Sequence, residues 1–532
     1  MAPGQLKSVV LGLVVVLLCV STSPSSAQQV GTNCSDARIR RSWDSYNASE
    51  KTLYKEAVGV AMDRGFHQKF IQVHVDYLSE KEAHQNCMFI YWHRMMLLGY
   101  ENMLRSLDPK YRCLTLPYWD HLTGRAKRAA GKCSTMMDCT SVIPDTGGMA
   151  VASSSSMRKS LLIYNMTVPR SSSTSCVSKQ PLSHFCGNNT PCASCILRNS
   201  YGPAYPSEAA FSSVYQQVFS NDVYNDFRNR IETGVHNTIH SVLGGVMAYF
   251  QSPADPVFYM HHGLIDLLQA IYLKCQVGAE NVTLSATDKG SDPRWFSACA
   301  RRTKGSYTPS DNITMQAFGY DGKTTVNVWQ DPKNILYQFF KDIPYKFADY
   351  VDAKDLGNYS YTYAMSGGLA TMYQYCKASN TISTASTLLA DDSDNYRERG
   401  GGPEHLKPVI EPGTAIDDTV RRWNIALFES ARIVGYTVTA AREQMEMVTC
   451  QYQEDCLGGV QDYTDLFRTN FDVDGHPRCY TIMQYLNSGD RVIGIPKWKE
   501  ITLRFLPCAA YKKRSQTAFE KAVEKYASSA SS

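Results

Sequence analysis

The hydrophobic and polar positions fall into blocks along the chain. Residues 8–20, SVVLGLVVVLLCV, form an unbroken apolar run, preceded by Lys7 and followed by the small and polar STSPSSAQQ. A basic start, an apolar stretch of about a dozen residues and small residues before a cut make a secretory leader. The run is short of the ~18–20 residues that a membrane span needs, and no later segment is apolar enough to span. Cleavage is expected after Ala27. From 34 to 125 the pattern becomes helical. RRSWDSYNASEKTLYKEAVGVAMDRG offers Asn47 or Ser49 as a cap ahead of good helix formers. HQKFIQVHVDYL and CMFIYWHRMMLLGYENMLRSL place apolar residues at spacings of three and four, which predicts helices with buried faces. LTLPYWD, residues 114–120, ends the block in a proline turn.

Residues 126–205 lose that period. They hold Cys133, Cys139, Cys176, Cys186, Cys192 and Cys195 and serine runs at 153–156 and 171–175, an irregular insertion stapled by disulfides. Helical patterning returns over 207–275 and gives way after 285 to short, turn-rich pieces ending near DLGNYSYTYAM. The polar DDSDNYRERGGGPEH, 391–405, reads as a linker or exposed loop, and 416–449 as one long helix.

Composition narrows the picture. A net charge of +4 without a basic tract gives no footprint for nucleic acid. Of 17 cysteines, Cys19 leaves with the leader; the 16 that remain could form up to eight disulfides in an oxidising compartment. That setting favours disulfides over a zinc site for the Cys192–Cys195 CxxC with nearby His184. Sequons at Asn33, Asn47, Asn165, Asn188, Asn281, Asn312 and Asn358 fit a secreted glycoprotein.

The candidate chemistry is histidine. The chain has only 12, and several sit within apolar runs. His93 lies inside FIYWHRMMLL; with His74 and His84 it makes one set. His236, His240 and His262 make another, the first two sharing one helix face at a spacing of four. A single histidine on an apolar face is usually a core residue with its hydrogen bonds met, because an unpaired buried polar group costs about 1–3 kcal/mol. Two sets of three point instead to metal. Position 237 is Asn, so the Glu of an HExxH protease is missing. Neutral imidazoles without a carboxylate suit copper, zinc, iron or nickel rather than a hard ion.

FIQVH (70–74), AH (83–84) and FIYWHRMMLLGYE (89–101), followed by HNTIH, GG and DPVFYMHHGLID, resemble the two copper-site patterns of the tyrosinase family of type-3 copper proteins, which includes catechol oxidases and haemocyanins. The resemblance runs from RRSW (40–43) to YSYTY (359–363). It implies a mainly α fold whose central antiparallel four-helix bundle carries a dicopper site, with disulfide-stapled insertions and a smaller C-terminal region. The implied organisation is a leader at 1–27, a copper domain at 28–365 and a C-terminal region at 366–532, either a lid or an accessory domain. The resemblance implies two copper ions, one on His74, His84 and His93 and one on His236, His240 and His262. His67 competes with His74, and His261 with His262. Asp266 either orients its helix or is a plain helix acid, and Arg94 and Glu101 are structural partners. Position 82 is Glu, so the thioether crosslink that many relatives make from a Cys there is absent, and Cys87 is expected in a disulfide.

The family's water-holding pair maps to Glu232 and Asn237, a general base for an incoming phenol. The alternative for Glu232 is an ordinary helix acid. Ser241 and Tyr249 are candidates for the entrance. The implied activity is ortho-hydroxylation of monophenols and oxidation of o-diphenols to o-quinones by dioxygen, with products that feed melanin-like pigment or protein crosslinking. The rivals are a catechol oxidase without the hydroxylation, a haemocyanin-like oxygen carrier and a copper-free structural relative.

Overall fold

A computed structural model describes residues 38–149, 160–164, 166–170, 174–200, 205–278, 284–319, 321–376 and 406–513, together with Val523. The leader, Asn33, Cys34, Asn165, Asn281 and the 391–405 stretch lie outside the described residues. Asn47, Asn188, Asn312 and Asn358 are exposed.

The described chain is mainly helical. Asn47 caps the Ala48–Asp63 helix: its side chain accepts from the backbone N–H groups of Ser49 and Glu50, and Glu50 accepts from the Asn47 N–H in return. Two long helices, Phe89–Ser106 and Val257–Val277, pack on each other at the centre. Both are buried around almost their whole circumference, the expected place for a helix that is apolar all round. The Phe66–Val75 helix packs against the first, and the turn Glu232–His236, leading into the helix Asn237–Leu243, packs against the second. These four helical segments surround the histidines.

The few charges inside this core are paired. Arg94 of one long helix binds Asp266 of the other, and Arg40 bridges Asp266 at 3.2 Å and Glu101 at 3.0 Å. The strand Tyr361–Met365 runs parallel to Arg38–Arg40, with Tyr363 opposite Arg40, and pairs on its other side with Val409–Ile410. That register aims the hydroxyls of Tyr361 and Tyr363 at the Asp266 carboxylate, the first at 2.6 Å. Asp266 is thus a buried tie between the two long helices and the strand pair Arg38–Arg40 and Tyr361–Met365.

Seven disulfides occur among the described residues. Cys87 joins Cys299, and the CxxC cysteines part company, Cys192 pairing with Cys186 and Cys195 with Cys176. The insertion around them is built from two short antiparallel pairs, Leu161–Ile163 with Met166–Val168 and Thr174–Val177 with Ile196–Asn199.

The single helix expected over 416–449 is two helices, Ala415–Ile433 and Val438–Cys456. Gly435 at φ 90° turns the chain, and Thr437 caps the second helix through the Ala440 N–H. These helices form a second core with Trp423, Leu427, Met445 and Tyr452, joined by Ala129. The following helix, Asp465–Phe471, instead sends Phe467 and Phe471 into the main core. No helix among the described residues is long and apolar enough to cross a membrane.

Candidate metal centre

Each histidine of the first set comes from a different element. His74 is in the last turn of Phe66–Val75, His93 in the second turn of Phe89–Ser106, and His84 follows the Tyr77–Ala83 helix on extended backbone. One nitrogen from each lies within 4.8 Å of the others, and all three rings are buried. The orientation of two rings is fixed from behind. His74 Nδ1 donates to the Phe250 carbonyl at 2.6 Å, and His93 Nδ1 to the Phe89 carbonyl at 2.8 Å. Carbonyls only accept, so the proton of each neutral ring sits on Nδ1 and each Nε2 presents a bare lone pair. Those two Nε2 atoms face each other at 3.4 Å. Protonation does not relieve the clash of lone pairs: burial holds His74 at about 3 and lowers His93 well below the ordinary range. A cation between them does relieve it, so the donor set fits a metal ion. His67 is excluded by the same test. Its Nδ1 meets the Tyr100 hydroxyl at 2.9 Å and its Nε2 the Ala254 carbonyl at 3.0 Å, leaving no free lone pair.

The second set is more crowded. His236 ends a π-helical turn, with Gly234 at φ −93°, ψ −116°, and His240 lies one turn on. Such a bulge re-aims side chains relative to a regular helix. His240 Nδ1 donates to the Met247 carbonyl at 2.8 Å, and His236 Nδ1 lies 2.9 Å from Asn237 Oδ1. The compact group within 4.8 Å is His236, His240 and His261. His262 is also present: its Nε2 is 3.4 Å from His240 Nε2, and its ring stacks on His93 with centroids 4.2 Å apart. His261 Nδ1 is engaged by His121 Nε2 at 3.1 Å, while its Nε2 and that of His236 are buried without a partner. Four imidazoles therefore converge where the sequence pattern assigns three.

Glu232 is buried, and burial raises its pKa against the opposing pull of Arg228. Its Oε1 accepts the Gln85 backbone N–H at 2.6 Å and its Oε2 an Arg228 N–H at 2.7 Å. It is no surface acid; Gln85 adjoins His84, so the carboxylate is tied to the first histidine set. Asn237 contacts His236 and makes no hydrogen bond with Glu232.

The C-terminal region supplies a residue with no counterpart in the motif reading. The Phe471 ring lies 5.8 Å from His84 and 5.7 Å from His240, spanning both sets, and packs on Phe250 at 4.5 Å. Its backbone is clamped there: Gln85 Nε2 donates to the Phe471 carbonyl at 2.6 Å, and Asn470 donates to the Ala248 carbonyl at 2.8 Å. Ser241 Oγ accepts the Thr464 N–H at 2.8 Å, and Tyr249 is buried, so both entrance candidates lie under this segment. The sequence signal was slight, two phenylalanines four apart in DLFRTNF.

Residues 64–274 match the family model described as the common central domain of tyrosinase, a span that contains every histidine of both sets. Over these residues the chain is similar to the tyrosinase family. Curated relatives include tyrosinase P of Aspergillus terreus, 24% identical over 341 residues (53% of this chain, 87% of that protein), and the tyrosinase of Streptomyces glaucescens, 27% over 259 residues (47% and 87%). A shorter match, 32% over 100 residues, covers 17% of this chain and 32% of the grixazone synthase of Streptomyces griseus. Among solved structures, a polyphenol oxidase from Thermothelomyces thermophila is similar at 19% identity and a TM-score of 0.41, over 62% of this chain and 89% of that one. The tyrosinase family implies a dinuclear copper site, and the buried imidazoles are a donor set of that kind.

Proposed function

We propose that this tyrosinase-family chain is a secreted copper oxidase that hydroxylates monophenols at the ortho position and oxidises o-diphenols to o-quinones with dioxygen. The observation that carries it is the pair of bare Nε2 atoms of His74 and His93, facing each other in a buried place that protonation does not relieve. The ligands are His74, His84 and His93 for one ion and His236, His240 and His262 for the other. His262 is preferred to His261 because its Nε2 points at His240 and its ring lies against His93, between the sets, whereas His261 turns one nitrogen to His121. Copper bound there supplies dioxygen activation and the redox chemistry of the phenol.

The chain's own part is to orient and to exclude water. Backbone carbonyls behind His74, His93 and His240 fix each ring and its tautomer, and burial keeps it neutral. Glu232, its pKa raised by burial, takes the phenol proton, with Asn237 steering His236 and the water between. Phe471 fills the approach to both sets, so this chain is latent until the C-terminal segment is displaced; the polar stretch 391–405, outside the described residues, is the candidate cleavage region. A second reading, oxidation of catechols alone, is favoured by the Glu232–Arg228 ion pair, which occupies the base. The test is oxygen uptake by copper-loaded protein with monophenols and with catechols, before and after limited proteolysis. Uptake with both, rising on cleavage, is expected. Uptake with catechols alone selects the second reading, and reversible oxygen binding without uptake replaces both with a carrier.

A further inference from the structure

One of the four imidazoles at the second set, His261, has its Nδ1 on a nitrogen rather than an oxygen. His240 Nδ1 faces a backbone carbonyl, as do His74 and His93 in the first set, and a carbonyl fixes the proton on Nδ1. His261 Nδ1 faces His121 Nε2 at 3.1 Å, and a neutral imidazole nitrogen either donates or accepts.

His121 is placed there by its turn. It opens the His121–Ala129 helix directly after LTLPYWD. Trp119, two residues earlier, donates its backbone N–H to the Met260 carbonyl at 2.8 Å, which sets the turn alongside His261. On its other side His121 Nδ1 meets the Tyr205 hydroxyl at 2.9 Å. A Cβ at Gly124 would stand 2.7 Å from that hydroxyl, so the glycine leaves it room. Tyr205, His121 and His261 are all fully buried, and burial keeps both rings neutral, His121 at about 3.

Each ring therefore carries one proton, and the three groups have two self-consistent arrangements. In the first, Tyr205 accepts from His121 Nδ1, His121 Nε2 accepts from His261 Nδ1, and His261 Nε2 is bare. The Tyr205 proton then has nowhere to go, because among the described residues the only acceptor its hydroxyl meets is His121. In the second, Tyr205 donates to His121 Nδ1, His121 Nε2 donates to His261 Nδ1, and the His261 proton sits on Nε2. The first arrangement leaves two buried polar groups unmet, the Tyr205 hydroxyl proton and His261 Nε2; the second leaves only His261 Nε2. Every buried group left unmet costs its lost hydration, so the second arrangement is the stable one.

We infer that Tyr205 and His121 are positioning residues that hold His261 in its Nε2–H form, so that it offers no lone pair to an ion and His262 is left as the third ligand. This role rests on the ligand set of the proposed function. The rings stay neutral throughout, so no change of charge is involved.

The first test is neutron diffraction from a crystal of the metal-free full chain in deuterated buffer. Deuterium is expected on the Tyr205 oxygen toward His121 Nδ1, on His121 Nε2 and on His261 Nε2, but on Nδ1 of His74, His93 and His240. Deuterium on His261 Nδ1 would overturn the inference, and this readout uses no copper and no variant. The second test is chelator competition for copper, with melting temperature as the folding control. His262→Ala should lose the second ion. Adding His121→Phe removes the donor to His261, and the folded double variant should bind the second ion at least fivefold more tightly than His262→Ala alone, a gain that a damaged fold does not produce. Equal or weaker binding by the folded double variant would overturn the role of His121. Undiminished binding of both ions by His262→Ala alone would overturn the ligand set itself, and the inference with it.

Discussion

At the scale of the residue, what separates a ligand from a core histidine is the count of hydrogen bonds behind the ring. His67 and His74 both lie on the Phe66–Val75 helix and both are buried. His67 has partners on both nitrogens; His74 has one, and its other lone pair faces His93. The same logic yields a test for the crowded second set. His262→Ala should lower bound copper from two ions toward one per chain, whereas His261→Ala should keep both, as read by metal analysis of dialysed protein. The opposite result would move the ligand to His261. Glu232→Gln should lower monophenol hydroxylation by about 10²–10⁴-fold, the usual worth of a general base, and leave catechol oxidation within a few fold. Equal losses on both substrates would make Glu232 a structural partner of Arg228 and Gln85.

At the scale of the element, two ties hold the site in register. Asp266 joins both long helices to the strand pair through Arg94, Arg40, Tyr361 and Tyr363, which hold its carboxyl below the usual range despite burial. Asp266→Asn removes the charge and leaves two buried guanidiniums short of a partner; a loss of about 3–5 kcal/mol is expected, seen as a lower midpoint in denaturant. The other tie is the Asp465–Phe471 helix, whose last residue contacts both histidine sets. Phe471→Ala should raise catechol oxidation of the uncleaved chain several fold and blunt the further gain from proteolysis. An unchanged rate would locate the barrier elsewhere on the segment.

At the scale of the whole molecule, buried histidines make stability depend on pH. Beyond the ligands, His67 is held at about 4 and His121 at about 3, mainly by burial. In the unfolded chain both take up protons below about 6.5. The stability they confer is complete above that pH and is lost as pH falls toward 4, because the unfolded state then binds more protons than the native state. Asp120, raised to about 6 by burial, acts in the opposite sense between about 4 and 6 and offsets part of one histidine. The metal-free chain should therefore unfold at lower denaturant at pH 5 than at pH 7, and copper should raise both midpoints with little change in the gap, because burial already keeps His74 and His93 neutral in the native metal-free chain. A flat profile for the metal-free chain would contradict the burial of these rings.

The sequence by itself determined what depends on local pattern. Helix periodicity and a cap at Asn47 or Ser49 follow from spacing over a few residues, the disulfide character of Cys192 and Cys195 from the oxidising setting that the leader implies, and the two histidine sets from histidines placed within apolar runs. Where the pattern was equally served by two structures, it failed: apolar spacing continues across 434–437, and only the left-handed Gly435 divides the helix expected there. What remained for the tertiary structure was every choice made by a partner far away in the chain. Ala254 satisfies His67, Tyr361 and Tyr363 turn Asp266 into a buried tie, Arg228 occupies Glu232, and Phe471 reaches back over His84 and His240. A residue's type and spacing set which groups it offers. Which of them stays unpaired, and so open to a metal, a proton or a ligand, is fixed only when distant segments are packed and their hydrogen bonds are counted.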